Sequence, residues 1–125
     1  MKVKIYYHHT DCGGVVYYAT YLEFLEEART EYMEQRSASL KELAKQGIFF
    51  VVGRQEIDYK FPAYYADTLT IDTKIGEISR ASMKFHNEIK NQDHRMIAKA
   101  KTLLVCVDER FKAKSIPQTL RSLLK

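Results

Sequence analysis

This sequence contains one long helical pattern, and nearly everything after it has the alternation of β-strands. Over residues 18–36 the positions with helical spacing are apolar, and glutamates occupy the opposite face. The apolar positions are Tyr18, Tyr21, Leu22, Leu25, Ala28 and Tyr32. A helix with such a stripe is stable only when another layer covers it. The rest of the chain must therefore supply that layer.

The covering layer is predicted to be a β-sheet. Apolar and polar side chains alternate in one segment before the helix and in four segments after it. The segments are residues 3–7, 48–61, 69–75, 83–89 and 98–106. Their order and short connections predict an α+β fold of one domain, residues 1–125, with a five-stranded curved antiparallel sheet around a central helix.

Two short helices and an oligomer complete the predicted architecture. Ser39 is expected to cap a helix over 40–46 that Gly47 ends, and Pro117 to open a terminal helix over 117–124. An open sheet leaves edge strands whose backbone groups a second copy of the chain can cover. We therefore expect a homodimer or a dimer-of-dimers tetramer.

The composition limits which classes of partner and which cellular compartment are expected. A net charge of +4 and a pI of about 9.0 favour a polyanionic partner, but the basic residues are dispersed and carry no nucleic-acid-binding motif. No apolar run approaches the roughly 20 residues of a membrane span. Cys12 and Cys106 form no close pair, so free thiols are expected rather than a disulfide or a zinc site. We expect a cytoplasmic protein that binds neither nucleic acid nor a metal and does not span a membrane.

The most informative segment is the loop that leads into the long helix. Residues 9–18 read His-Thr-Asp-Cys-Gly-Gly-Val-Val-Tyr-Tyr, which places the carboxylate of Asp11 just before the helix start. The first turn of a helix has unpaired N–H groups and a partial positive charge, so it can hold a developing oxyanion. A carboxylate beside such a site suggests acyl chemistry. The alternative is that Asp11 is only a turn residue, since Asp before glycine is common in loops.

The chain resembles the hotdog-fold acyl-CoA thioesterases of the 4-hydroxybenzoyl-CoA thioesterase superfamily, especially the YbgC-type branch associated with the Tol-Pal system. Three groups of residues carry the resemblance. The first group is residues 6–17, which include the run Thr-Asp-Cys-Gly-Gly-Val-Val-Tyr. The second group is residues 21–24 and 27–31, and the third is residues 79–82, 105–108 and 116–117. The resemblance implies hydrolysis of an acyl-CoA thioester at a site shared between two subunits. The chain departs from the family pattern at His8 and His9, where an acidic pair is usual, and at Tyr18, where histidine is common.

By this resemblance Asp11 is the catalytic carboxylate, acting as nucleophile or as general base. Backbone N–H groups near Tyr18 and Ala19 are expected to bind the oxyanion, while the Tyr18 side chain either contacts substrate or packs in the core. Tyr7 and Gly14 are further candidates for substrate contact, although packing is the favoured role of Tyr7 and an ordinary tight turn also explains Gly14. Candidates for the coenzyme A phosphates are the basic residues Arg80, Lys84, Lys99, Lys101, Lys112 and Lys114, although for any single one of them a solvated surface position is the favoured interpretation. Coenzyme A enters as part of the substrate, and no separate cofactor is expected.

Three other functions compete with this interpretation. The first is a non-catalytic module that binds acyl-CoA or acyl carrier protein, favoured by the basic charge and by Tyr18. The second is a hotdog dehydratase, although its His-Pro loop is absent. Nucleic-acid binding ranks last. Cys12 is a rival nucleophile, since a thiol near a helix N-terminus can have a lowered pKa.

Overall fold

The computed structural model describes residues 1–125 and has a five-stranded antiparallel sheet curled around one long helix. The elements in chain order are β1 (Lys2–Lys4), a 3₁₀ turn (Tyr7–His9), α1 (Thr20–Glu34), α2 (Leu40–Lys45), β2 (Phe49–Tyr59), β3 (Thr68–Ile78), β4 (Ser82–Lys90), β5 (Met96–Val107) and α3 (Gln118–Leu124). This is the predicted α+β hotdog architecture, and the order of one strand, one long helix and four strands is confirmed. No helix has the length and apolarity that crossing a bilayer would require.

The sheet has two edges of different length. Its strand order is β1-β3-β4-β5-β2, so the three-residue β1 forms one edge and the eleven-residue β2 the other. The ladder between β2 and β5 is interrupted once, between Val52 and Arg54, where Gly53 forms a bulge. The outer side of β2 has no strand beside it. A long edge strand of this kind leaves a row of backbone groups available for another chain.

The buried face of α1 differs from the predicted stripe. Tyr21, Leu25 and Ala28 are buried as expected, but Tyr18 and Leu22 are 62% and 42% exposed. Tyr18 precedes the first helical residue, Thr20, so it does not follow the helical period. The other members of the buried face are Phe24, Arg29 and Met33. The stripe is therefore rotated away from Leu22 and includes one charged residue.

The ends of the shorter elements follow from local chemistry. Ser39 accepts a hydrogen bond from the Glu42 N–H at 3.3 Å and caps α2, and Gly47 follows that helix with φ +74°, as predicted. The prediction of a first strand extending to Tyr7 is wrong, since β1 ends at Lys4. The N–H of Tyr6 donates to Nδ1 of His9 at 2.9 Å, so a side chain replaces a ladder partner and the chain turns.

Candidate active site

The loop that carries Asp11 is closed by its own backbone. Thr10 and Val16 form an isolated antiparallel bridge at the base of the loop. Within it, the Asp11 N–H donates to the Val15 carbonyl at 2.9 Å, and the Gly14 N–H donates to the Asp11 carbonyl at 3.1 Å. Gly14 has φ +82°, a left-handed conformation that glycine adopts at little cost. The backbone of Asp11 is therefore fixed although the loop is exposed.

One oxygen of the Asp11 carboxylate is also fixed. Oδ1 accepts a hydrogen bond from the Gly13 N–H at 2.8 Å. Asp11 is exposed, and no hydrogen bond is made to its other carboxylate oxygen within the chain. The residue thus makes the turn contact expected of an aspartate before glycine, and it leaves one oxygen free for chemistry. The turn role and a catalytic role are compatible in this geometry.

The loop is attached to the connection between β2 and β3. The Val16 N–H donates to the Ala63 carbonyl at 2.8 Å, and Val15 forms a bridge with Tyr64. On the other side, the Tyr17 N–H donates to the His9 carbonyl at 2.9 Å. These bonds place Asp11, Gly14 and the start of α1 in one region of the surface.

The first residues before α1 keep their N–H groups free. Ala19 is the N-cap, and no side chain caps the helix. The N–H groups of Tyr18 and Ala19 make no backbone hydrogen bond, whereas the Tyr18 carbonyl accepts one from the Tyr59 hydroxyl at 3.0 Å. Free N–H groups at a helix N-terminus are suited to hold negative charge. Tyr59 fixes this segment from across the fold, a contact that the sequence pattern did not predict.

Aromatic side chains surround the helix start. A pocket of about 320 Å³ lies beside it, with Val16, Tyr18, Tyr21, Tyr59 and Phe61 among its lining residues. Burial raises the pKa of Tyr21 to about 12, so its phenol stays neutral and hydrogen-bonding at neutral pH. The pocket therefore has an apolar body with a few neutral hydroxyls, and Lys60 is its one charged lining residue.

Tyr7 flanks the loop on its other side. Its ring stacks on that of Tyr65 with 3.9 Å between centroids and 2° between planes. Tyr7 is 73% exposed, and its carbonyl accepts the Thr10 hydroxyl at 2.7 Å. An exposed parallel stack of two phenols presents a flat apolar surface next to the loop. Tyr65 was not among the residues predicted from sequence.

The histidine pair is part of the loop's support. Nδ1 of His9 accepts the Tyr6 N–H, and the His9 ring packs edge-on against Phe24 at 5.2 Å. Burial, with a smaller contribution from His8, lowers the pKa of His9. The rings of His8 and His9 lie 4.0 Å apart because the two residues are consecutive in a 3₁₀ turn, in which neighbouring side chains do not alternate between faces as they do in a strand. No group of three or more acidic, histidine or cysteine residues is arranged for a metal ion.

Two of the six basic candidates, Arg80 and Lys84, lie away from this region of the same chain. The loop is attached near the start of β3, whereas Arg80 follows its end, about 33 Å along an eleven-residue strand. Nη1 of Arg80 donates to the Ser115 hydroxyl at 2.6 Å. Lys84 lies in β4 opposite Leu103 and is half-buried. Asp11, Gly14, Tyr7, Tyr18 and Ala19 are brought together, and Arg80 and Lys84 do not join them within one chain.

Comparison with known proteins gives one consistent family. The profile of the Thioesterase-like superfamily matches residues 6–124. The chain is 36% identical over 119 residues to the acyl-CoA thioester hydrolase YbgC of Escherichia coli O157:H7, covering 94% of this chain and 89% of that protein. It is 38% identical over 107 residues to the acyl-CoA thioesterase YbgC of Haemophilus influenzae, covering 85% and 78%.

Solved structures agree with this result. The crystal structure of a hypothetical protein from Aquifex aeolicus superposes with a TM-score of 0.94 at 26% identity, covering 100% of this chain and 98% of that one. A DHNA-CoA thioesterase from Staphylococcus aureus superposes with a TM-score of 0.88 at 27% identity, covering 92% and 78%. The fold and the family are thus found by sequence and by structure alike.

Proposed function

Because this chain belongs to the thioesterase-like superfamily and is an acyl-CoA thioester hydrolase, we propose that Asp11 is its catalytic carboxylate and that the free N–H groups of Tyr18 and Ala19 form its oxyanion site. The observation that carries this proposal is the carboxylate of Asp11, held by one oxygen to Gly13 in a loop that leads directly to those N–H groups. A fixed carboxylate near fixed donors is the arrangement that acyl transfer needs.

Two routes of hydrolysis use the free oxygen of Asp11. In the first, that oxygen attacks the thioester carbonyl carbon, the C–S bond breaks, coenzyme A leaves as a thiolate and water hydrolyses the mixed anhydride. In the second, the carboxylate removes a proton from a water that attacks the same carbon. In both routes the carbonyl oxygen becomes negative next to the N–H groups of Tyr18 and Ala19. Each such donor contributes roughly 10²–10³ in rate.

The aromatic surfaces beside the loop are proposed as substrate contacts. The exposed Tyr18 side chain lines the 320 Å³ pocket at the helix start. The stack of Tyr7 on Tyr65 offers a second flat surface near Asp11. Gly14 presents backbone without a side chain at the loop tip, and a Cβ built there has open space around it. Substrate can therefore approach the loop closely at this position.

The active unit is proposed to be a dimer, in which two β2 edges pair to continue the sheet. The free edge is eleven residues long and includes Val52, which is 52% exposed. Pairing of identical edges about a two-fold axis is antiparallel, so the beginning of one β2 meets the end of the other. Arg80 lies at the end of the sheet where β2 begins, so the dimer brings it toward the helix start of the other subunit. We assign Arg80 and Lys84 to the coenzyme A phosphates in that assembly, and a tetramer would pair two such dimers.

The carboxylate role is tested by Asp11→Asn. Thiol release from an acyl-CoA panel is expected to fall roughly 10²–10⁴-fold, with the circular dichroism spectrum and oligomeric mass unchanged. Asp72→Asn, an exposed aspartate on β3, is the matched control and should keep normal rates. A folded Asp11→Asn protein that hydrolyses acyl-CoA at a near-normal rate would overturn the assignment.

Acyl carrier protein is the second candidate acyl donor. The net charge of +4 favours a donor with an acidic surface, and both donors present the acyl group as a thioester. To decide between coenzyme A and acyl carrier protein as the donor, kcat/KM is measured for hydrolysis of the same acyl group from each. A cytoplasmic role in lipid metabolism is part of this proposal and is supported by the unpaired thiols of Cys12 and Cys106.

A further inference from the structure

Arg29 is a buried cation without a counter-ion. It projects from α1 and is only 7% exposed. Its single hydrogen bond in the chain is a long one, 3.4 Å from Nη1 to the Thr102 hydroxyl oxygen. No ion pair within 4.0 Å involves it. A guanidinium stays charged in proteins, and a buried charge is costly unless an anion compensates it. The arginine therefore needs a partner that the single chain does not supply.

The nearest acidic group does not fill this role. Glu26 lies one turn earlier on α1, and its Oε1 accepts a hydrogen bond from the Thr30 hydroxyl at 3.2 Å. The Thr102 hydroxyl donates to Gln55 at 2.8 Å, so toward Arg29 it acts only as a neutral acceptor. Burial lowers the pKa of Arg29, and the charge of Glu26 offsets only part of this effect. The charge of the guanidinium is thus only partly compensated within the chain.

The guanidinium lines a second pocket, here called the Arg29 pocket. The pocket has a volume of about 290 Å³, and seven of its ten lining residues are hydrophobic. Its apolar walls include Met33, Phe49, Phe50, Val52 and Leu104. The Arg29 nitrogens that lack a partner are not sealed from solvent. Arg29, Glu26 and Thr30 complete the lining, so the pocket is mostly apolar and holds one cation and one carboxylate. A mostly apolar pocket with a few placed polar groups suits an apolar chain whose anionic end pairs with the cation.

The position of the pocket connects it to the proposed site across the dimer. Within one chain, Arg29 lies about 15 Å along α1 from Ala19. Phe49 opens β2 and Tyr59 closes it. In the antiparallel pairing of two β2 edges, Phe49 lies toward the partner's Tyr59. Tyr59 is the residue whose hydroxyl holds the Tyr18 carbonyl at the helix start. In the dimer proposed above, the Arg29 pocket of one subunit would therefore adjoin the oxyanion site of the other.

We propose that the Arg29 pocket receives the acyl group from the partner's active site and that Arg29 selects acyl groups with a carboxylate at their far end. This proposal rests on the thioesterase function and the edge-paired dimer proposed above. The apolar walls contact the methylene chain, and the guanidinium donates hydrogen bonds to the terminal carboxylate. Arg29 is then a specificity-determining residue that does not touch the reacting carbon.

The test compares acyl-CoA substrates of equal length with different ends. One series ends in a methyl group and the other in a carboxylate, with chains from four to twelve carbons. At the best length, the wild-type dimer is expected to hydrolyse the carboxylate-ended substrate with roughly 10- to 100-fold higher kcat/KM. In Arg29→Met this preference should reverse, because the carboxylate would enter an apolar pocket without a cation. The change should appear mainly in KM, since Arg29 does not contact the reacting carbon.

Three further variants separate selectivity from folding. Arg29→Lys keeps the charge and should retain part of the preference even if Arg29→Met is unstable. Arg36→Met is the matched control, because Arg36 stacks on Tyr32 at 3.5 Å and does not line the pocket. Glu26→Gln removes a negative charge from the pocket lining and should increase the preference for the carboxylate end.

Binding measurements distinguish a failure of the proposal for Arg29 from a failure of the proposed thioesterase reaction. Calorimetric titration of Asp11→Asn with the two acyl-CoA series should give the same preference without turnover. A wild-type protein that hydrolyses no acyl-CoA would refute the reaction, whereas the titration would still test the pocket. Equal rates and equal affinities for both series at every length would overturn the role of Arg29. The role of Arg29 would also be overturned if Arg29→Met and Arg29→Lys lost the dimer without a change in the ratio of kcat/KM for the two substrate series. That result would mean that Arg29 pairs with a carboxylate of the other subunit instead.

Discussion

We predict that a methyl group added at Gly13 lowers the rate of hydrolysis, whereas one added at Gly14 lowers the stability of the fold. A Cβ at Gly13 would lie 3.2 Å from Oδ1 of Asp11, closer than an ordinary van der Waals contact. The carboxylate would have to move by a few tenths of an ångström, which weakens the 2.8 Å bond from the Gly13 N–H. Because displacement by 1 Å can cost about 10² in rate, we expect Gly13→Ala to lower kcat about tenfold. The loop is exposed, so the free energy of unfolding should change by less than about 1 kcal/mol.

Gly14 is the matched comparison. A Cβ there meets no atom within 4 Å, so the added methyl group causes no clash. Its φ of +82° is instead unfavourable for any residue with a Cβ, at about 1–2 kcal/mol. Gly14→Ala should therefore lose about that much unfolding free energy in urea, and Gly14→Asn less, since asparagine tolerates this conformation.

Thiol release and urea unfolding are measured on the same preparations. A wild-type kcat in Gly13→Ala would mean that the fixed carboxylate oxygen is irrelevant to the reaction. A Gly14→Ala protein as stable as the wild type would mean that the loop does not require the left-handed conformation.

Two other predictions concern pH and assembly. Because the pKa of His9 is lowered in the folded protein, the unfolded state binds more protons at mildly acidic pH. The contribution of neutral His9 to stability therefore begins to be lost as the pH falls below about 6.5, the ordinary pKa of histidine, and is fully lost below the lowered pKa. Between pH 7 and 5, the melting temperature of His9→Gln should depend less on pH than that of the wild type, and His8→Gln should show a smaller reduction of this dependence. Equal slopes of melting temperature against pH in all three proteins would contradict this. Val52→Lys on the free β2 edge should reduce the dimer mass in sedimentation and lower thiol release, whereas Glu42→Lys on α2 should change neither. An intact Val52→Lys dimer would mean that the edge is not the interface.

Local signals predicted most of the fold correctly. The alternation in β2 to β5 needs only period-two patterning, and Ser39 and Gly47 mark the ends of α2 by chemistry within a few residues. The prediction failed where a tertiary contact replaced a local one. The first strand stops early because His9 takes the N–H of Tyr6, and Leu22 is exposed because the sheet covers a different side of α1.

The fold class and the loop that carries Asp11 follow from the amino-acid sequence alone, because periodic patterns and glycine-rich turns act over short stretches of chain. Which side chains meet that loop depends on the tertiary structure. The bond from Tyr59 to Tyr18 and the stack of Tyr7 on Tyr65 join residues far apart in sequence, and no pattern encodes such contacts. Arg29 is the clearest case, since a charged residue in a helical pattern is read as solvated until a sheet is seen to bury it.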